Sequence, residues 1–388
     1  MKKYRLAVCL ALCLFLLPAA AGQAEISSRP QDPVSTLDLS SVQRYADQME
    51  AEIKVAVPGL DFREMVTRLV KGDPGWKPEE ILRELFRLLF KEIVANFSLL
   101  GKLIVLTVIC AVLQNLLAAF ERGSTGRLAH AVTYLVLVTI AIGSFTLAVK
   151  AGREVVESMV GFMQALLPIL LTMLVAVGGV TSAAIMSPAL LTAMALFGSL
   201  IKDFILPLLL FGAVLGIMSN LTDRINVSNL AGLLNSVAMG ALGVFTTLFL
   251  GILGLQGVAG AVGDSLTIRT AKFAADAFIP VVGGMFSDAL EAVVGTSLLI
   301  KNAVGIAGMA LIAAAMVTPL LKIITLAFIY RLSGALIQPI GDGQMVGCLN
   351  DLSKSLLLVF AAVATAGLLF FFSIAIVVGV GNITVMLR

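Results

Sequence analysis

The stretch from Leu230 to Leu255, LAGLLNSVAMGALGVFTTLFLGILGL, decides the fold class of this chain. It contains no charged residue, and a helix of this length extends about 39 Å at a rise of 1.5 Å per residue. The hydrocarbon core of a bilayer is only ~30 Å thick. The sequence therefore predicts that this stretch crosses a membrane as one helix.

The composition of the whole chain supports the same conclusion. Charged residues make up 13% of the 388 residues, against about 25% in soluble globular proteins, and the mean hydropathy is +1.02. These values exclude a soluble enzyme, a disordered protein and a nucleic-acid binder. The net charge of +3 is too small to argue for an anionic partner. The sequence thus predicts an integral membrane protein in contact with the lipid bilayer.

The N-terminus has the pattern of an export signal. Basic residues precede the apolar run Leu6–Pro18, and small residues follow that run up to Ala24. The run is too short to span a bilayer, which is typical of a signal peptide rather than of a transmembrane helix. We therefore predict a signal peptide over residues 1–24, with an uncleaved anchor as the alternative.

Residues 1–97, the signal and the region that follows it, hold about half of all the charged residues. We consider residues 25–97, after the signal, as one region. Its apolar residues recur at helical spacing in three stretches, which predicts three amphipathic helices. A region of this size buries little core alone. We expect an extracytoplasmic helical region that docks on the membrane domain, the bilayer surface or a partner, with a solvated cap as the alternative.

Residues 98–388 are predicted to form a polytopic membrane domain in an all-α fold. Apolar runs separated by short polar segments give seven or eight transmembrane helices. The runs are Ser98–Phe120, Leu128–Val149, Met159–Val180, Ala183–Ile201, Phe204–Ser219, Leu230–Leu255, Ala303–Leu332 and Leu356–Val380.

The segment 265–301 differs from these runs because charges and helix breakers interrupt it. Short apolar pieces between glycine, proline and charged residues are typical of broken or re-entrant helices. The sequence predicts such helices around 265–301. The candidate helix breaks in the membrane domain are Pro168, Pro280, Gly283, Gly284 and Gly295.

Equal spacings in the chain indicate an internal repeat. Pro168 and Pro280 are 112 residues apart, and Asn235 and Asn350 are 115 residues apart. These spacings relate residues of about 155–255 to residues of about 267–370. A repeat would place a pathway at the interface of the two halves, as in many transporters. The alternative is chance similarity between segments rich in leucine and alanine.

The few charged residues in apolar surroundings are the candidates for function, because charge at membrane depth is costly unless it is paired or hydrated. Asp288 and Glu291 are spaced to share one helix face, with Lys301 near that face. Lys272 and Asp276 are spaced to neutralise each other. One interpretation is a path or gate, and the alternative is charges at loop ends. The candidate pathway or gating residues are Asp288, Glu291, Lys301, Lys202, Asp203, Lys272 and Asp276.

No catalytic or metal-binding arrangement is visible in the sequence. His130 is the single histidine, which provides neither a catalytic triad nor a zinc site. The chain also has no P-loop and no dinucleotide-binding fingerprint. We therefore predict a protein that is not an enzyme and has no cofactor or metal, so that any energy coupling resides in another chain.

Four segments resemble the stage III sporulation protein AE family. The most specific is Gly283–Gly308 (GGMFSDALEAVVGTSLLIKNAVGIAG), because polar residues interrupt it. The others are Gly101–Asn115 (GKLIVLTVICAVLQN), Leu336–Gly343 (LIQPIGDG) and Leu349–Leu358 (LNDLSKSLLL). The order of signal, small exported region and polytopic domain matches as well, so the resemblance covers essentially the whole chain.

The resemblance implies a setting that the residues alone do not indicate. The family belongs to endospore-forming bacteria and lies in the mother-cell-derived outer forespore membrane, which places residues 25–97 between the two membranes. Its implied partners are the other stage III A operon proteins (an ATPase, ring-forming proteins and membrane subunits) and the forespore protein SpoIIQ. The implied function is that of a permease-like component of the mother cell-to-forespore channel, which late forespore gene expression requires.

Two other functions remain open at this point. One is a non-conducting platform on which the rings and the ATPase assemble, and the other is a stand-alone secondary transporter. The interrupted segment 265–301 favours conduction, because a scaffold has no need of costly intramembrane charge. The small number of titratable groups and the amphipathic surface at 40–93 favour a platform. A homo-oligomer is compatible with each of these functions.

Overall fold

The computed structural model describes residues 42–45, 62–72, 78–119, 124–221, 227–278, 283–339 and 343–386. All regular elements in these ranges are helices, which confirms the predicted all-α class. The predicted signal peptide over residues 1–24 lies outside the described residues.

The helices follow one another with short connections. In chain order they are α1 (Phe62–Val70), α2 (Pro78–Ala95), α3 (Phe97–Ala119), α4 (Ser124–Ala176), α5 (Val180–Ser199), a π-helical turn (Leu200–Ile205), α6 (Leu206–Leu221), α7 (Ser228–Phe278), α8 (Gly283–Ile337) and α9 (Gly343–Met386).

Five helical segments in the described part of the chain are long and apolar enough to cross a membrane. They are Tyr134–Ala176, Val180–Asn220, Ser228–Thr267, Ala292–Ile337 and Gly343–Met386, with 40 to 46 residues each. At 1.5 Å per residue they extend about 60–70 Å, roughly twice the hydrocarbon thickness of a bilayer. The chain is therefore a membrane protein by helix length and composition, while a total of seven or eight crossings stays a prediction.

Several helices are longer than the sequence predicts, because charged residues between two apolar runs do not end them. The run Leu128–Val149 and the part of the run Met159–Val180 up to Ala176 belong to the single helix α4. Lys150 and Glu154, between the runs, stay in helical register and form an ion pair of 3.7 Å. Charges spaced by four residues stabilise a helix, so this polar segment continues α4 instead of forming a loop.

The runs Ala183–Ile201 and Phe204–Ser219 are likewise joined. The π-helical turn Leu200–Ile205 connects α5 to α6 without a loop, and it carries the charged pair Lys202 and Asp203. π-Helical insertions of this kind are rare and occur mostly inside longer helices.

The interrupted segment 265–301 consists of the adjoining ends of two long helices in its described part. Helix α7 ends at Phe278 and α8 begins at Gly283, so Gly283 and Gly284 are the first residues of α8. Gly295 lies within α8, and that helix continues through it. The short helical pieces predicted for this segment are therefore not observed, and Pro280 lies outside the described residues.

Pro168 also fails to end a helix. Helix α4 runs through it to Ala176, eight residues further on. Leu166, Leu167 and Leu170, which flank the proline, are fully buried. Tertiary packing on both sides holds the helix together, as is common for proline in membrane helices.

The core of the bundle lies between α4, α8 and α9. Glycines allow these helices to approach closely, since a Cβ at Gly308 of α8 would come within 2.5 Å of Leu166 on α4. Small residues at such contacts are typical of membrane helix packing. Helix α7 is more peripheral and contacts α5, α6 and α9.

The N-terminal region predicted to be exported, in its described part, packs directly against this bundle. The ring of Phe62 in α1 lies edge to face against Phe162 of α4, with 6.2 Å between centroids. Helix α1 and the following helix α2 also contact α8. This agrees with the docking on the membrane domain that the amphipathic pattern predicts.

One structural similarity supports the predicted repeat, which stays a prediction. Helices α7 and α9 begin at Ser228 and Gly343, 115 residues apart. Asn235 and Asn350 each lie seven residues into these helices, and each packs against a glycine of the preceding helix, Gly212 or Gly334.

Candidate functional site

Two ion pairs lie beside the middle of α4, and we call their four residues, Arg153, Glu157, Lys202 and Asp203, the charge belt. Arg153 and Asp203 form an ion pair of 3.2 Å, and Lys202 and Glu157 form one of 3.5 Å, so α4 is joined twice to the π-helical turn. Most of these side chains are more than half exposed, and such pairs contribute about 0–1 kcal/mol each. The predicted pathway residues Lys202 and Asp203 are therefore matched charges on the surface of the bundle.

Lys301 has a very different environment. Its side chain is fully buried near the beginning of α8, and Nζ donates a hydrogen bond of 2.8 Å to the carbonyl oxygen of Val378 in α9. Among the residues that the structure describes, no carboxylate lies within ion-pair distance of it. An ammonium group has three donors, and burial of an unpaired charge is expensive. Of the three candidate pathway residues whose side chains the structure describes, Lys301 alone is fully buried.

The position of Lys301 depends on a glycine in the facing helix. A Cβ at Gly381 of α9 would collide with Nζ of Lys301 and would come within 3.2 Å of Leu174 in α4. The lysine head therefore occupies space that only glycine leaves open. The next residue of each helix, Asn302 and Asn382, has a buried side-chain oxygen without a hydrogen-bond partner.

Asp264 is a second buried charge, and the sequence analysis did not select it as a site residue. Its carboxylate accepts hydrogen bonds from the backbone N–H groups of Thr181, at 2.6 Å, and Ser182, at 3.1 Å. These are the second and third residues of α5, so Asp264 of α7 satisfies donors that a helix N-terminus leaves unpaired. The sequence feature that could have identified Asp264 is a single acidic residue within an apolar run.

Two glycines allow Asp264 to reach these donors, because one turns the chain between α4 and α5 and the other lets α7 approach the start of α5. Gly178 has a φ of +97°, and it turns the chain sharply between α4 and α5. A Cβ at Gly260, one turn before Asp264, would come within 2.8 Å of the Cα of Ser182. The hydroxyl of Ser182 is buried without a hydrogen-bond partner.

One apolar side chain of α4 contacts the surroundings of both buried charges. Leu174 lies against both Gly179, at the start of α5, and Gly381, which faces Lys301. We use the name buried polar cluster for the five polar residues found around the two charges, which are Ser182, Asp264, Lys301, Asn302 and Asn382. It combines a buried cation, a buried carboxylate and three oxygen atoms that lack donors. Such a composition is typical of functional sites within membranes rather than of a packed apolar core.

The other predicted pathway residues contribute backbone positions alone. Lys272 and Asp276 lie in α7, and Asp288 and Glu291 lie in α8. Their side chains lie outside the description, so the predicted charge pairings among them stay predictions. No cluster of His, Cys, Asp and Glu that would hold a metal ion occurs in the part of the chain that the structure describes.

These features define an all-helical membrane protein with buried charge between its long helices. The sequence model of the stage III sporulation protein AE family matches residues 60–381. The chain is also 37% identical to the stage III sporulation protein AE of Bacillus subtilis (strain 168) over 404 aligned positions, which cover all of both chains. The chain belongs to the stage III sporulation protein AE family. No solved structure matches it.

Proposed function

We propose that this protein is the permease-like membrane component of the mother cell-to-forespore channel. Membership of the family implies a role in sporulation. The single observation that carries the finer proposal is the buried Lys301, which has no carboxylate partner among the side chains that the structure describes. A scaffold gains nothing from such a charge, whereas a path for polar solutes needs charged and hydrated groups between its helices.

In this proposal the protein lies in the mother-cell-derived outer forespore membrane and acts without catalysis or cofactor. Its partners are the other stage III A operon proteins, including the ATPase and the ring-forming proteins, and the forespore protein SpoIIQ. The ATPase supplies the energy, and the exported helices α1 and α2 face the intermembrane space. The buried polar cluster contributes to the path or to its gate.

A non-conducting platform is the second candidate. The observation that favours it is the tight packing of the exported region on the bundle, shown by the edge-to-face contact of Phe62 with Phe162. A rigid joint of this kind suits a protein that holds rings at a fixed height above the membrane. The two functions differ in what they require of Lys301.

The test replaces Lys301 by Met in a sporulating host. Met has a similar length without the charge, and replacing a buried charge by a well-packed apolar residue is often neutral or favourable for stability. Late forespore transcription should fall, while pull-down of the partner proteins and the thermal stability of the purified variant stay unchanged. Lys150→Gln, which removes an exposed cation of α4, is the matched control and should behave like the wild type. Normal transcription in Lys301→Met would favour the platform.

A further inference from the structure

Helix α2 presents an apolar stripe that faces away from the bundle. Phe86, Phe90 and Val94 are 54%, 64% and 72% exposed, and Phe97 at the start of α3 is 63% exposed. Spacings of four, four and three residues align them on one face over about 16 Å. Leu88, on the other side of α2, is buried. The helix therefore has one apolar side packed against protein and a second apolar side that is uncovered.

A row of basic residues runs beside this outer stripe. Arg83, Arg87 and Lys91 are exposed and recur every four residues, like the stripe itself. The acids of the same part of α2, Glu84 and Glu92, are half-buried. The region carries no net positive charge by its sequence, and Glu79 at the start of α2 is exposed as well. Arg87 lies 3.7 Å from Glu84. From Arg83 to Lys91, however, the exposed charged side chains are all basic. Basic residues flanking aromatic and aliphatic ones are typical of helices that lie in a membrane interface.

The stripe is continuous with the apolar surface of a predicted transmembrane helix. A single residue, Asn96, separates α2 from α3. Along α3 the exposed face continues through Val105, Val108, Ile109 and Val112. A surface that is contiguous with a lipid-facing helix is within reach of the same bilayer.

The first turns of α3 add a cation and a groove to this surface. Lys102 is exposed one turn beyond Phe97. A groove of about 430 Å³ between α3 and α4 is lined by Ser98, Gly101, Lys102, Val105, Ile109 and Ile140. An apolar groove with a lysine at its edge matches an acyl chain beneath an anionic headgroup, because lysine extends its ammonium group towards the interface.

We propose that the outer stripe of α2 lies in the headgroup region of the bilayer, and that its basic row and Lys102 bind anionic phospholipid. The aromatic side chains enter the acyl boundary while the arginines and lysines contact phosphate groups. This contact holds the exported region at the membrane surface. It is independent of whether the membrane domain conducts.

The test uses the full chain in phosphatidylcholine vesicles, with and without phosphatidylglycerol. In a Trp76→Phe background, which removes the single tryptophan of the chain, Phe86→Trp and Phe90→Trp each report on the stripe. Brominated phospholipid should remove more than half of their emission, and aqueous iodide should have little effect. Lys71→Trp, at an exposed position after α1, is the control and should show the reverse order.

A second arm tests the choice of lipid. Phosphatidylglycerol should increase the bromolipid quenching at Phe90→Trp, and replacement of Arg83, Arg87 and Lys91 by Gln should remove that increase. Quenching by iodide instead of bromolipid would overturn the proposal. Protection from both quenchers would mean that protein covers the stripe, and would overturn it equally. Quenching that does not depend on phosphatidylglycerol would overturn the anionic-lipid part.

Discussion

Asp264 of α7 accepts a hydrogen bond of 2.6 Å from the backbone N–H of Thr181, the second residue of α5. The residue before α5 is Gly179, whose lack of a side chain leaves the helix without a local cap. A carboxylate from another helix therefore satisfies the donors that normally need an adjacent Ser, Thr, Asp or Asn. The contact fixes the turn between α4 and α5 against α7.

We expect Asp264→Ala to destabilise the protein by about 1–2 kcal/mol, the usual contribution of a helix cap. Buried N–H groups would lose their acceptor, and the negative charge at the positive end of α5 would disappear. Asp264→Asn keeps an acceptor and should lose less. Thermal unfolding in detergent measures both changes, with the exposed substitution Glu154→Gln as the control. Equal stability of the Ala and Asn variants would contradict a capping role.

The space around Lys301 leads to a second prediction. A methyl group at Gly381 would collide with Nζ of Lys301, so Gly381→Ala should displace the ammonium group from the carbonyl of Val378. Late forespore transcription should then fall as it does in Lys301→Met. Gly379→Ala, two residues earlier in the same helix, is the matched control because no side chain or neighbouring helix lies within 4 Å of its Cβ position.

A double variant separates steric from electrostatic effects at this position. In the Lys301→Ala background the collision with Nζ is absent and only the approach of 3.2 Å to Leu174 remains, so Gly381→Ala should cost less thermal stability there than it does alone. The coupling between the two sites is the difference between the double variant and the sum of the single ones. Strict additivity would show that Gly381 does not act through Lys301.

The charge belt leads to a third prediction, which is that removing one of its charges changes the stability of the protein only slightly. Lys202→Gln and Asp203→Asn each remove one partner of an exposed pair, and each should cost less than about 1 kcal/mol. The exchange Arg153→Asp with Asp203→Arg should restore the stability that either single reversal loses, since it rebuilds the pair between α4 and the π-helical turn. Differential scanning of the purified variants checks this. A large loss of transport-dependent transcription in Lys202→Gln would instead assign the belt to the path.

The sequence predicts the fold class of this chain well and the ends of its helices less well, because no single residue type is sufficient to end a helix. The apolar composition and the absence of β patterns were sufficient for the all-α class. Segment boundaries are harder to predict, because Lys150 and Glu154 interrupt the apolar pattern although their spacing stabilises a helix. Pro168 is a candidate break by sequence, but buried leucines on both sides hold α4 together.

The candidate site was predictable only where a local pattern marks the residue, and its contacts between distant parts of the chain were not. Lys301 was visible as a charge in apolar surroundings, and the structure buries it. Asp264 has the same local pattern, but its role depends on a helix end 83 residues earlier in the chain. Lys301 and Gly381 are likewise brought together by the contact between α8 and α9. A local sequence pattern contains no information on such pairings, which depend on tertiary packing.

The two carboxylates of α8 lead to the last prediction. Asp288 and Glu291 lie in the first turns of α8, before the apolar segment that begins at Ala292. If they line the path or its gate, replacing both by Asn and Gln should abolish late forespore transcription, because the isosteric amides keep the shape and remove the charge that a polar solute or a gating cation meets. The variant must be present in the membrane and must still bind its partners by pull-down. Lys150→Gln with Glu154→Gln removes two charges from an exposed ion pair of α4 and serves as the matched control. Normal transcription with both double variants would mean that these carboxylates are tolerated surface charges, and the platform would then be the better account of this protein.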